Sequence, residues 1–250
     1  MRTLRIHLLE TKYEFLKLLR LPGYALPTLA FPILFYLFFG VAFGHRSAGS
    51  VSMAKYLIAT YGAFGVMGAS LFGFGVTVAN ERGHGWLEVK RTTPMPVSAY
   101  FVAKTAMAML FSSMIVLCLF TVGVLFGGVD LTFGQMAALF FILVPGSAVF
   151  CALGLAIGCF ASPNSAPPIV NLIYLPLSFL SGLWVPVWML PKPLQALAFF
   201  LPPFHLSQLA LKVIHAGRGF SIPVHVTALA IATALFLGIA LAGYRRGENA

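Results

Sequence analysis

Residues Asn80–Lys104 read NERGHGWLEVKRTTPMPVSAYFVAK and join two stretches apolar enough to sit in lipid. Six of the chain's 22 Asp, Glu, Lys and Arg residues fall here: Glu81, Arg82, Glu88, Lys90, Arg91 and Lys104. Charged residues make up only 9% of the 250, whereas a soluble domain carries roughly 25%. Hydrophobic residues make up 60%, and the mean hydropathy is +0.93. Such a chain cannot cover its own surface in water. Runs of about 20 apolar residues are what a hydrocarbon layer about 30 Å thick requires. The sequence therefore specifies an all-α polytopic membrane protein, with its charge gathered where the chain returns to water.

Outward from this stretch, the apolar runs place six transmembrane helices near 24–44, 56–79, 101–127, 135–161, 166–184 and 223–244, in one domain over 1–250. Residues 1–22 lack the apolar core of a signal peptide. At helical spacing, Leu4, Leu8, Phe15, Leu18 and Leu19 share one side, and Arg2, Glu10, Glu14, Lys17 and Arg20 the other. That pattern predicts an interfacial amphipathic helix with its basic residues at the headgroups. Pro22-Gly23 then turns the chain into the bilayer. Between spans five and six, residues 185–222 are rich in proline yet strongly apolar. A pair of short re-entrant helices at membrane depth fits that composition better than an exposed loop. Gly154 and Gly158, like Ala69 and Gly73, have the small-x-x-x-small spacing that lets helix backbones approach.

Eleven Lys and Arg residues fall in segments on the N-terminal side of the membrane and five on the other, which predicts both termini in the cytoplasm; the expected location of this multi-pass protein is the cell inner (cytoplasmic) membrane. The net charge of +10 follows from this bias; no basic stripe is interleaved with stacking aromatics, so nucleic acid is not an expected partner. Lys55 and Lys104 stand at span edges, where lysine anchors the interface. Cys118, Cys151 and Cys159 lie within spans without C-x-x-C spacing and read as small packing residues. The histidines form no metal motif, and the serines have no acid and base partners inside the membrane, so no catalytic, metal or cofactor-binding residue is assigned. Ionisable groups that could couple an ion gradient are nearly missing from the spans. Asn171 is the most notable polar residue expected inside span five, where both an interhelical hydrogen bond and a substrate contact are open. No G-x-x-x-x-G-K-[ST] loop, indeed no Gly-Lys dipeptide, is present, so energy for uphill transport must come from another polypeptide.

Within the charged stretch, Trp86, Leu87 and Val89 alternate with Glu88, Lys90 and Arg91 before Pro94 and Pro96. A helix of about two turns is unstable alone. It reads either as a solvated, topology-setting loop or as a short anchor held by a partner. The residues Glu81-Arg82, Gly85-Trp86-Leu87-Glu88 and Thr93-Pro94 resemble the segment after the second span of ABC-2-type permeases, the membrane subunits of many ABC exporters. The chain departs from that pattern at Gly83-His84 and Trp86. A second match runs through Phe179-Leu180-Ser181-Gly182, Pro186, Met189-Leu190-Pro191, Leu194-Gln195 and Pro202.

The resemblance implies a permease homodimer bound to two copies of an ABC ATP-binding subunit. The partner would hold ATP and Mg, with no cofactor in this chain. Residues 81–95 would form the coupling helix: Glu81, Arg82, Glu88 and Arg91 orient the dock, Trp86 and Leu87 fill its apolar floor, and Gly85 and Pro94 belong to the same partner-binding segment. The N-terminal helix would brace the same partner. Phe64, Met67, Asn171, Tyr174 and Phe179, on spans two and five, would line the substrate path. The expected activity is export of a hydrophobic or amphiphilic, drug-like small molecule. The alternatives are a lipid-linked glycan or polysaccharide exporter and a non-transporting membrane protein of the same fold.

Overall fold

The computed structural model describes residues 2–92 and 96–248; the side chains of Arg2, Thr3, Glu88, Arg91, Val97 and residues 244–248 lie outside that description. The chain is almost wholly helical. Helix α1 (Arg2–Leu19) precedes α2 (Pro22–Phe35), which continues as a π-helical segment through Val41. A two-residue hairpin, β1 (Ser47–Ala48) and β2 (Val51–Ser52), leads into α3 (Met53–Leu71). A second π-helical segment, Phe72–Val76, joins α3 to α4 (Thr77–Gly83), so span two is one helix of 31 residues. Then follow α5 (Trp86–Arg91), α6 (Val97–Leu125), α7 (Phe133–Phe160), α8 (Ala166–Leu180), a 3-10 turn at Val187–Met189, α9 (Lys192–Ala198), α10 (Pro202–Val213) and α11 (Ile222–Glu248).

Local chemistry sets several of these boundaries. Thr132 and Gln135 close a reciprocal capping box at the start of α7, each side chain satisfying the other's backbone N–H. The Ser52 hydroxyl accepts from the Lys55 N–H to open α3. Prolines in the first turns of α2, α8, α9 and α10 occupy positions whose N–H groups need no intrahelical acceptor.

Span two is the central helix. From Tyr56 to Leu71 every residue is buried. Packing against α7 is close because both partners are small: a Cβ on Gly154 would stand 2.9 Å from the Phe74 Cβ and 3.1 Å from the Gly75 N, and one on Gly158 would meet Val78 and the Gly75 carbonyl. The expected glycine contact is therefore present, with span two as its partner. At the other extreme, α11 exposes Ile231, Leu235, Leu237 and Leu241, the composition of a lipid-facing helix.

Two expectations are refined. Among the described residues, five helices are long and apolar enough to cross a membrane, at Pro22–Val41, Met53–Gly83, Ser98–Leu125, Phe133–Phe160 and Ile222–Gly243, and the bent pair Lys192–Ala198 with Pro202–Val213 makes a sixth where it is counted as one broken span. The fifth expected span, 166–184, is instead the 15-residue α8. At 1.5 Å per residue it reaches only about 22 Å, because Ser181-Gly182 ends it early. Gly182 has φ +75°, a conformation open to glycine at little cost. Between α8 and α11, helices α9 and α10 form a pair bent by 86°, the broken arrangement expected for this oily, proline-rich region.

The second refinement concerns α1. Leu4, Leu8 and Tyr13 are exposed, whereas Glu14 and Leu18 are buried and Phe15 packs on Phe111 of α6 with ring centroids 5.3 Å apart. The acidic side of the helix faces the protein, and much of its apolar side is left for lipid.

Candidate functional site

The charged stretch of the sequence folds against α1 and the first turns of α6. Lys104, fully enclosed, directs its ammonium at three acceptors, each 3.1 Å away: Glu14 Oε2, Thr77 Oγ1 and Glu81 Oε1. An ammonium has three donors, so none is wasted. Glu81 Oε1 also accepts from Lys17, and its Oε2 accepts from the Tyr100 hydroxyl at 2.7 Å. Lys90, on α5, reaches Glu10 at 2.6 Å and Glu14 at 3.3 Å. Lys90 and Lys104 both lie over the Tyr100 ring, 4.8 and 5.1 Å from its centroid. Burial works against the Lys90 charge, but the Glu10, Glu14 and Glu81 carboxylates outweigh it and hold its pKa above the usual lysine value.

One ion network thus ties α1, α4, α5 and α6. Each buried charge gives up hydration, and the opposed partners offset that cost only while every oxygen and proton stays matched. Such a network fixes relative position more than it adds stability. Lys104 is therefore not an interface anchor, as its place near a span edge implied, but the centre of this network. Glu81, expected to orient a partner, is turned inward with its carboxylate engaged by the chain itself. In sequence, Glu14 and Lys17 read only as the polar side of an amphipathic helix, and Thr77 and Tyr100 go unnoticed, because the partners that join α1 to α4 and α6 lie 64 to 90 residues away in sequence. The one available signal was Lys104 itself, a cation placed inside an apolar run.

Gly85, at φ +74°, reverses the chain between α4 and α5. Trp86 is then 58% and Val89 55% exposed, side chains too apolar to favour water. Leu87 instead turns inward, against the cluster of Phe74, Val78 and Tyr100. The Glu88 and Arg91 side chains and Pro94 fall outside the described residues. Arg82 spans to α7, donating to the Cys159 and Ala161 carbonyls, the latter at 2.8 Å. A guanidinium there satisfies end-of-helix acceptors and opposes the negative end of the helix dipole. Arg82→Ala is expected to cost about 1–2 kcal/mol, measured as a lowered melting temperature in detergent.

The residues expected along the substrate path divide. Phe64 and Met67 are fully buried in α3, and Phe64 stacks on Tyr174 with centroids 4.8 Å apart. The Tyr174 hydroxyl donates to the Phe64 carbonyl at 3.2 Å. Tyr174 and Asn171 border a cleft of about 280 Å³ with Tyr24, Phe31 and Phe72, between α2, α3 and α8. Asn171 is exposed at that cleft instead of being buried among helices, and Phe179 faces outward. Among the described residues, no group of three His, Cys, Asp or Glu could hold a metal ion.

Residues 8–215, which include the whole ion network, α5 and the cleft, match the family described as ABC-2 type transporter. The chain belongs to the ABC-2 type transporter family. It is 27% identical over 205 residues to the putative transport permease YvfS of Bacillus subtilis, covering 82% of this chain and 83% of that protein. It is 30% identical over 190 residues to the inner membrane transport permease YhhJ of Escherichia coli, and the match covers 69% of this chain and 46% of YhhJ. The match thus takes in about half the length of YhhJ. This ABC-2 protein is a multi-pass membrane permease of an ABC transporter.

Proposed function

We propose that this permease is the membrane subunit of an ATP-driven exporter that moves hydrophobic or amphiphilic small molecules out of the cytoplasm. Two copies pair in the inner membrane, with their termini in the cytoplasm, and two separate ATP-binding subunits dock on the charged face. ATP and Mg are held by those subunits. The Lys and Arg bias supports that orientation, and the description of YhhJ as an inner membrane protein supports the location.

The observation that carries this reading is α5: a short helix presenting Trp86 and Val89 outward while Lys90 binds it to Glu10 and Glu14. A partner cleft closing on that knob moves a helix already fastened to α1, and through Glu14, Lys104 and Glu81 to spans two and three. Span two carries the movement to the cleft beside Tyr174 and Asn171. The apolar and aromatic lining of that cleft favours an amphiphilic cargo.

Trp86→Ala combined with Val89→Asp tests the dock. Both side chains are largely exposed, so the fold survives while an aromatic anchor is lost. Partner-stimulated ATP hydrolysis is expected to fall at least about tenfold, with the gel-filtration profile and melting temperature unchanged. Full stimulation in that folded protein removes the assignment. Transport in proteoliposomes then decides the cargo: movement of a lipid-linked glycan but of no amphiphilic dye would replace the small-molecule reading.

A further inference from the structure

The end of the bundle opposite the ion network holds two histidines that export by a coupling helix does not use. A Cβ on Gly243, near the end of α11, would touch Phe160 and Cys159, at the end of α7 that Arg82 caps. The first turn of α11 therefore lies at the far end, beside α10 of the bent pair. There His205 of α10 and His225 of α11 bring their Nδ1 atoms to 2.9 Å. Both side chains are buried. Phe199, Phe204 and Phe220 surround them.

Hydrogen-bond logic fixes the protons. His205 Nε2 lies 3.0 Å from the Phe199 carbonyl, which can only accept, so this nitrogen carries a proton. In neutral His205, Nδ1 is then an acceptor, and the His225 Nδ1 must donate to it. That leaves His225 Nε2 as a bare acceptor, and it is buried with no hydrogen-bond partner among the described residues. A second proton has no good place. Put on His225 Nε2, it creates a charged N–H without an acceptor. Put on His205 Nδ1, it obliges His225 to receive that bond and to move its own proton to Nε2, which leaves a buried imidazolium on His205 beside an unpaired neutral N–H on His225. Two imidazolium rings facing each other would have no bond at all.

Only backbone carbonyls, Phe220 for His225 and Phe199 for His205, favour such a charge, and no carboxylate joins them on the elements packed around the pair. Lys212 of α10 is a further cation bearing on His225. Helix α7, packed on both α10 and α11, has no ionisable residue apart from Cys151 and Cys159, near its other end. Helix α3, packed on α10, contributes Lys55, Tyr56 and Tyr61, and the turn after α10 contributes His215 and Arg218. None of these elements carries a carboxylate.

We propose that His205 and His225 form a proton-sensitive latch that fastens the bent helix pair α9–α10 to the last span when both rings are neutral and releases it when one is protonated. On the topology proposed above, the latch faces the outer side, so acidification outside the cell would loosen the outer cap. The latch stands on the His geometry alone and does not depend on the identity of the cargo or of the ATPase. It holds near neutral pH and is lost as pH falls through the range in which histidine titrates.

Spin labels report it directly. Phe200→Cys, on the exposed turn between α9 and α10, and Ile231→Cys, on the lipid face of α11, are labelled in the full-length permease carrying Cys118→Ser, and distances are measured in lipid nanodiscs. One narrow distance is expected at about pH 7.5 and an added longer population at about pH 5. His225→Asn keeps a group at the Nδ1 position that can donate or accept but cannot titrate, so the narrow distance is expected at both pH values. His225→Phe leaves His205 Nδ1 unpaired, and the longer population is expected at both. A wild-type distance independent of pH, or a wild-type pH response in either variant, overturns the latch.

Discussion

Lys104→Met is expected to lower the stability of the permease by about 3–5 kcal/mol, the loss that follows when one partner of a buried ion cluster is removed. The methionine fits the space, so packing is nearly kept. What is lost is the ammonium that separates Glu14 from Glu81. Two carboxylates remain, with the half-exposed Lys17 at 2.5 Å from Glu81 and 3.6 Å from Glu14 and Lys90 at 3.3 Å from Glu14, but the buried ammonium between them is gone. Denaturation of the purified protein in detergent measures the change. Adding Glu81→Gln removes a carboxylate that has lost one of its two cations, so the double variant is expected to lose less than the sum of the two single losses, by about 1 kcal/mol or more. A Lys104→Met protein within about 1 kcal/mol of wild type, or strictly additive losses, would show that the network contributes little.

Gly154→Leu is expected to be at least as damaging, for a steric reason. Any Cβ at this position meets the Phe74 Cβ, the Gly75 N and the Ser70 carbonyl within 3.2 Å, and backbone atoms cannot swing aside as a long side chain can. Spans two and four would have to part, costing about 3 kcal/mol or more. Because span two is buried along nearly its whole length, parting it from α7 disturbs the core as a unit. The expected result is loss of the monodisperse peak in gel filtration from mild detergent. Gly238→Ala is the matched control: its Cβ meets nothing within 4 Å, and alanine in a helix interior gains roughly 0.5–1 kcal/mol over glycine. Equal behaviour of the two variants would show that the glycine contact does not hold the spans together.

The five long spans lie within four residues of the apolar runs that announce them, because a bilayer imposes a length that hydropathy records directly. Pro186, Pro191 and Pro202 likewise marked the broken region before α11. Burial of individual charges was less legible. Glu14 on an amphipathic helix and Lys104 near a span edge each have an ordinary solvated reading, and only the pairing of α1 with α6 brings them together. Asn171 shows the converse: a polar residue in an apolar run looked buried, yet α8 turns it toward a cleft. The inward turn of Leu87 beside the outward Trp86 was equally hidden, since it depends on Gly85 redirecting the chain. Helix periodicity says which residues share a side, but not which side meets the neighbour.

The π-helical segment at Phe72–Val76 has a consequence for how the two ends of span two are phased. A wide turn accommodates one more residue than an α-turn, and each α-helical residue advances the face by about 100°. Phe64 above this segment and Glu81 below it are therefore aligned through a built-in offset. Converting the wide turn to an ordinary one would rotate one end against the other by a sizeable fraction of a turn, so Glu81 could not face Lys104 while Phe64 still stacked on Tyr174. Span two thus works as a keyed shaft whose single extra residue sets the angle between the charged end and the aromatic end.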